Sequence, residues 1–127
     1  MAKQTLPAEI RRFVLTSIPS VPYLEALLLL RSQEQQAWQT ADVARRLYVP
    51  DAVAAELLRA LNASGLVAAE GEGFRYAPRR EALRATIDQL QQLYATRLVE
   101  ITSLIHTRLE KRALQFADAF RWNKKEP

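Results

Sequence analysis

The chain has 127 residues, of which 49% are hydrophobic and 25% charged, and this composition excludes a disordered chain and requires only one domain. It contains no cysteine, which excludes disulfides, thiolate zinc sites and thiol nucleophiles. Its net charge of +4 suits an anionic partner, and the positive excess lies at the two ends of the chain.

The N-terminal part of the chain predicts two helices. Apolar residues at three- and four-residue steps indicate a helix over residues 7–18, which Pro19 ends. Ser20 is suited to be the N-cap of a second helix, which is leucine-rich on nearly every side and should be central. The most apolar run, residues 23–30, contains a glutamate and is shorter than the roughly 20 residues of a membrane span. We therefore expect a cytoplasmic protein without membrane contact.

The middle of the chain predicts two helices joined by a tight turn. Thr40 is suited to be the N-cap of a helix over residues 41–48, and Pro50 with Asp51 begins another that ends at Gly65. Two short β-like runs joined by Gly-Glu-Gly then predict a hairpin over residues 66–70 and 74–77. In the helix that ends at Gly65, four apolar residues are predicted to form a buried stripe along one face: Val53, Leu57, Leu58 and Leu61.

The C-terminal third predicts one long helix. No Gly or Pro interrupts residues 79–108, and apolar residues recur there at steps of three or four. Such a helix is about 45 Å long at 1.5 Å per residue, whereas a small domain is about 30 Å across. We therefore expect a second copy of the chain to cover the apolar overhang in a homodimer. The predicted dimer contacts are Phe13, Leu98, Ile101, Leu104 and Ile105.

The last stretch of the chain, residues 109–127, is amphipathic and basic. Phe116 and Phe120 share one helical face, Trp122 follows them, and lysines and arginines surround them. Two interpretations are favoured over a third, a membrane-surface role, because the apolar face is short and Asp118 lies near it. The stretch either folds back over its own or its sister subunit, or it docks a protein partner through the three aromatic side chains.

The order of the predicted elements and the run over residues 47–67, which ends in Leu-Asn-Ala-Ser-Gly-Leu-Val, resemble the winged helix-turn-helix superfamily. The resemblance is to MarR-like bacterial transcriptional regulators in particular, and it is best over residues 38–76. It implies a mainly α fold with a small β-hairpin: a winged helix-turn-helix plus an N-terminal helix and a long C-terminal dimerisation helix. The implied single domain, residues 1–127, comprises N-terminal helices (1–36), the helix-turn-helix and wing (37–78), and the long helix with its basic tail (79–127).

The resemblance implies a DNA-binding regulator in which the second helix of the helix-turn-helix is the recognition helix. The outward positions of that helix are poor in hydrogen-bond donors, so we expect mainly phosphate contacts, with Arg59 favoured for a base contact. The alternative is a winged helix that has lost DNA readout and docks a protein partner through its terminal helices. The predicted DNA-binding residues are Arg45, Arg46, Arg59, Arg75, Arg79 and Arg80.

Nothing in the sequence predicts a catalytic, metal-binding or phosphate-binding site. His106 is the single histidine, and its near neighbours do not supply the carboxylates or thiols that a metal site or a catalytic base needs. No glycine-rich phosphate loop is present, and the serines lack a base at any local spacing. We expect no enzyme activity, no metal site and no cofactor.

Overall fold

A computed structural model of the chain describes residues 6–109, which are mainly helical (68%) with one two-stranded antiparallel hairpin. The prediction of a mainly α fold with a small hairpin is therefore confirmed. The helices are α1 (Ala8–Ser17), α2 (Val21–Ser32), α3 (Thr40–Leu47), α4 (Asp51–Ala63), α5 (Glu81–Thr96) and α6 (98–109), and the strands are β1 (Val67–Glu70) and β2 (Gly73–Tyr76).

The helix α2 lies at the centre of the fold. The Ser20 hydroxyl accepts a hydrogen bond from the Tyr23 backbone N–H at 3.2 Å, so the predicted N-cap is confirmed. Leu24, Leu27 and Leu30 are fully buried, and α2 packs against α3, α4 and β2. Among residues 6–109 no single helix has the length and apolarity of a membrane span; only α1 and α2 jointly do, across a bend of 112°.

The helices α3 and α4 are joined by a turn over residues 48–50 and pack against each other. Thr40 is the first residue of α3 and Gln39 is its N-cap, so the prediction of Thr40 as the cap is wrong by one residue. The turn begins at Tyr48, which has left-handed backbone angles. Gly65 follows the C-cap of α4 with a φ of 77°, the left-handed position that was predicted for it.

The helix α4 is rotated relative to the predicted buried stripe. Ala54, Leu58 and Leu61 are its buried residues, whereas Leu57 is half-buried and Val53 is 37% exposed. The prediction that Val53 faces the core is therefore wrong, whereas Leu57 packs against the core and the predicted burial of Leu58 and Leu61 is confirmed. Apolar residues occupy more of α4 than one face can bury, so periodicity alone could not distinguish Val53 from the smaller Ala54 beside it.

Trp38, in the segment before α3, forms an isolated antiparallel β-bridge with Phe74 of β2 and so lies beside the hairpin. In the hairpin itself Val67 is opposite Tyr76 and Glu70 is opposite Gly73. The Trp38 N–H donates to the Phe74 carbonyl at 2.7 Å, and the Phe74 N–H donates back to the Trp38 carbonyl at 2.9 Å. A Cβ atom at Gly73 would lie 2.5 Å from the Trp38 oxygen, so glycine is required for this close approach.

The predicted long helix is broken, and this is the largest correction. The helix α5 ends at Thr96, Arg97 adopts a φ of −127° and a ψ of 41°, and a new helix begins at residue 98. The backbone of Arg97 still forms hydrogen bonds to both helices. Its N–H donates to the Leu93 carbonyl on α5, and its carbonyl accepts from the Ile101 N–H on α6. Ile101 is fully buried in the core of a single chain. The single helix of about 45 Å, whose overhang was the reason for the predicted dimer, is therefore absent.

Surface ion pairs connect α5 to α2 and to the loop that follows α2. Arg31 on α2 contacts the Asp88 carboxylate at 2.9 Å, and Arg84 contacts Glu34 at 3.0 Å. The Arg84 guanidinium also lies 5.2 Å from the centre of the Tyr76 ring. Burial, with a smaller effect of the Asp88 charge, raises the pKa of Tyr76 to about 12. These contacts position α5 and have no place in the candidate site.

Candidate nucleic-acid interface

Half of the exposed residues of α4 are apolar and half are polar or charged. Arg59 is the single basic residue of this helix, and it is exposed. Asp51 and Glu56 are exposed on the same helix and are acidic. The exposed residues of α4 are Asp51, Ala52, Val53, Glu56, Arg59, Ala60, Asn62 and Ala63. Only Arg59 and Asn62 among them carry side-chain hydrogen-bond donors, so this face offers few donors to a surface.

Two arginines lie on the last turn of α3, directly before the turn into α4. Arg45 contacts the Asp42 carboxylate at 2.6 Å, but its side chain is 73% exposed, so the pair is a weak, water-screened one. The Arg46 guanidinium lies 5.5 Å from the centre of the Trp38 ring, a cation–π contact that orients it without neutralising its charge. Both arginines are exposed.

Two further arginines lie beside the other end of α4, in the segment between β2 and α5. The Arg79 N–H donates to the Gly65 carbonyl at 2.9 Å, which fixes Arg79 next to the residue that follows α4. Its side chain also lies close to Gly65, because a Cβ atom there would be 2.9 Å from the Arg79 Nε. Arg80 follows as the N-cap of α5, and both arginines are exposed. Exposed positive charge therefore flanks α4 at both ends.

The hairpin adds less positive charge than the sequence suggested. Arg75 is half-buried, and its Nε lies 3.1 Å from the Glu70 carboxylate across the hairpin. Glu70 and Glu72 are exposed at the tip. Of the six arginines predicted to contact DNA, the structure leaves five exposed around α4, of which Arg45 is paired with Asp42, while Arg75 is half-buried and paired with Glu70.

Tyr48 is the residue that sequence reasoning missed. Its backbone has a φ of 58° and a ψ of 46°, and its side chain is 94% exposed in the turn before α4. The left-handed conformation costs a residue other than glycine about 1 to 2 kcal/mol. The signal was present in the turn sequence, because residues 48–50 are Tyr, Val and Pro and contain no glycine or asparagine to adopt that conformation. Pro50 is excluded by its fixed φ, and a β-branched valine is the worse choice.

Replacing Tyr48 with Gly is expected to raise the free energy of unfolding by up to about 1 kcal/mol, because strain relief exceeds the entropy cost of glycine. Urea unfolding followed by circular dichroism measures the change. Tyr48→Ala is the control, since alanine removes the ring but keeps the strain and should leave stability nearly unchanged. A clear loss of stability in the glycine variant would show that the ring supports the fold.

The residues predicted for the dimer are divided between core and surface. Ile101 and Ile105 are fully buried within one chain, which leaves them no surface for a second copy, so this part of the predicted contact is wrong. Leu98 is 50% exposed, while Phe13 and Leu104 are half-buried. The three aromatic residues predicted to dock a partner, Phe116, Phe120 and Trp122, lie outside the described residues 6–109.

Comparison of the chain with known protein families, with characterised proteins and with solved structures finds no match. Its function must therefore be inferred from the arrangement of α3, α4 and the hairpin. His106 is exposed on α6. In the part of the chain that the structure describes, no three His, Asp or Glu side chains are grouped to hold a metal ion.

Proposed function

We propose that this chain is a winged helix-turn-helix protein of the MarR-like type that binds double-stranded DNA as a transcriptional regulator. Two packed helices joined by a short turn, followed by a hairpin, are the arrangement in which the second helix enters the major groove. The observation that carries the proposal is the exposed arginine pairs at both ends of α4, Arg45 with Arg46 and Arg79 with Arg80. Basic residues at the two ends of a groove-bound helix are suited to contact the phosphates that border the groove.

The short side chains on the outward face of α4 support close approach to the groove floor, but they supply little hydrogen bonding. Arg59 is the one outward cation on α4, and its length suits a contact with guanine or with a phosphate. The carboxylates of Asp51 and Glu56 oppose phosphate contact along the same face. Affinity is therefore expected to depend mainly on the flanking arginines and to vary steeply with salt.

We also propose that the regulator is a homodimer, because a two-fold pair of recognition helices reads successive half-sites about 34 Å apart. The exposed large apolar side chains on α6 support this: Leu98 is 50% exposed, Val99 is 76% exposed and Leu109 is 42% exposed. Leu98 and Val99 are adjacent at the start of α6, and contiguous exposed apolar side chains mark interaction surfaces. The proposed dimer surface is thus the outer side of α6 and not the buried Ile101 and Ile105.

Fluorescence anisotropy with a duplex of about 30 base pairs, titrated at several salt concentrations, tests the proposal. If five arginines per chain contact phosphates, the slope of log affinity against log salt is about −4.5 per chain, which weakens binding several hundredfold from about 50 to 200 mM. Changing Arg46 and Arg59 together to Ala should reduce the slope by about 2.

Arg11 and Arg12 provide the matched control. Both are exposed on α1, outside the unit formed by α3, the turn and α4, and changing them to Ala removes the same total charge. The control variant should keep nearly the full slope and affinity. Equal losses in the two double variants would contradict the proposal, because binding would then follow net charge and not the surface around α4.

A second candidate function is the docking of a protein partner. The specific observation in its favour is the acidic and apolar outward side of α4, where Asp51 and Glu56 lie near the exposed Val53 and Tyr48. The same titration separates the two functions. A protein-docking module would show no duplex binding at about 0.15 M salt. The predicted docking residues Phe116, Phe120 and Trp122 and the absence of enzyme activity stay predictions in either case.

A further inference from the structure

The N-terminal end of α4 and the turn before it expose a group of apolar side chains, here called the α4 apolar patch: Tyr48, Pro50, Ala52 and Val53. The ring of Tyr48 is 94% exposed and contacts almost nothing in its own chain. Its left-handed backbone conformation also disfavours tyrosine relative to glycine or asparagine. Tyr48 therefore contributes little to the packing of its own chain, and its ring is available to an external partner.

The major groove offers one apolar group for such a patch. Each base pair presents hydrogen-bond donors and acceptors at the groove floor, and thymine adds its 5-methyl group. Apolar side chains placed against donors and acceptors would remove their water without replacing its hydrogen bonds, which is unfavourable. Against a thymine methyl they bury apolar surface on both sides and lose nothing. Thymine is therefore the base that fits the α4 apolar patch.

The charged neighbours of the patch fit the same base pair. Asp51 lies within the patch in sequence and Glu56 is about one helical turn further along α4, and both are exposed. A carboxylate accepts hydrogen bonds, and the adenine that pairs with thymine presents its 6-amino donor beside the methyl group. Cytosine presents an amino donor as well, but no methyl group accompanies it. The two carboxylates also repel phosphates, which directs this end of α4 to base edges.

Resting on the proposed DNA-binding function, we propose that the α4 apolar patch contacts thymine methyl groups in the major groove. The chain then selects A·T pairs at the positions that face the start of α4. Sequence preference arises from Tyr48, Ala52 and Val53, while the flanking arginines supply affinity. A protein surface is the other occupant that such a patch could take, and the experiment below distinguishes the two.

The test compares two duplexes of alternating A·T pairs that are identical except that one carries uracil in place of every thymine. The two have the same charge and the same hydrogen-bonding groups, so only the methyl groups differ. We expect the unmodified chain to bind the uracil duplex about fourfold more weakly for each methyl group in contact. Anisotropy titrations at one fixed salt concentration measure the ratio of the two affinities.

Variants of the patch assign the effect to its residues. Tyr48→Gly with Val53→Ser should bring the ratio close to one while binding to both duplexes persists, and circular dichroism checks that the variant is folded. Arg59→Ala is the control, because it should weaken both duplexes by the same factor and keep the ratio. Equal affinity of the unmodified chain for the two duplexes would overturn the thymine contact and leave the proposed function standing. Failure to bind either duplex would overturn the proposed function and the thymine contact together.

Discussion

Truncating Leu58 to Ala is expected to lower the free energy of unfolding by about 2 to 5 kcal/mol, the range for a large side chain removed from a close-packed core. Leu58 is fully buried on α4, and α4 packs against both α2 and α3. The neighbouring residues can close the resulting cavity only in part, because helices on two sides hold their backbones in place. Urea unfolding followed by circular dichroism and by the fluorescence of the buried Trp38 measures the loss.

Val53→Ala on the same helix is the matched control. Val53 is 37% exposed and also loses only aliphatic carbon, so its truncation should change stability by no more than about 0.5 kcal/mol. The pair therefore tests the rotation of α4 directly. A larger loss at Val53 than at Leu58 would restore the buried stripe that the sequence pattern first indicated, and it would remove Val53 from the α4 apolar patch.

The elements that the sequence predicted correctly are those with local signals. Ser20 is an N-cap because its hydroxyl satisfies a backbone N–H in the first turn, a device that depends on few neighbours. Gly65 ends α4 because the left-handed position after a helix favours glycine. The hairpin over β1 and β2 follows from a Gly-Glu-Gly turn between two short extended runs. Each of these features is set within a few residues.

The elements that failed depend on tertiary packing. No glycine or proline near Arg97 indicates the break in the sequence, and the three- and four-residue spacing of apolar residues continues across it. The break brings Ile101 and Ile105 into the core of the same chain, where burial of two large side chains stabilises the interrupted backbone. Continuous periodicity cannot distinguish one long helix from two that both face one core.

The sequence predicted the exposed arginines of the candidate site, but it did not predict the side-chain pairing or which apolar residues are exposed there. Exposed arginines around α4 follow from composition, because arginine is rarely buried without a partner. The pairing of Arg75 with Glu70 requires the register of the hairpin, which places them on adjacent strands. The exposure of Tyr48 and Val53 requires the rotation of α4 and the turn geometry, neither of which hydrophobic spacing determines.

Replacing Ile101 with Asp is expected to abolish the folded state at neutral pH. Ile101 is fully buried in the apolar core, and none of the fully buried side chains among the described residues 6–109 is charged. A carboxylate there either stays ionised without a partner or takes up a proton, and both states cost several kcal/mol, a large part of the roughly 5 to 15 kcal/mol that stabilises a domain. Circular dichroism and thermal melting should show a chain without a cooperative transition.

Leu98→Asp provides the control, since it makes the same chemical change three residues earlier on α6. Leu98 is 50% exposed, so its carboxylate stays in water and the variant should fold with nearly unchanged thermal unfolding. If α6 forms the proposed homodimer surface, this variant should also be a monomer by light scattering, because a charge in a buried contact is strongly unfavourable. A folded, monomeric Ile101→Asp protein would contradict the burial of Ile101 in its own chain, and it would return that residue to the subunit contact.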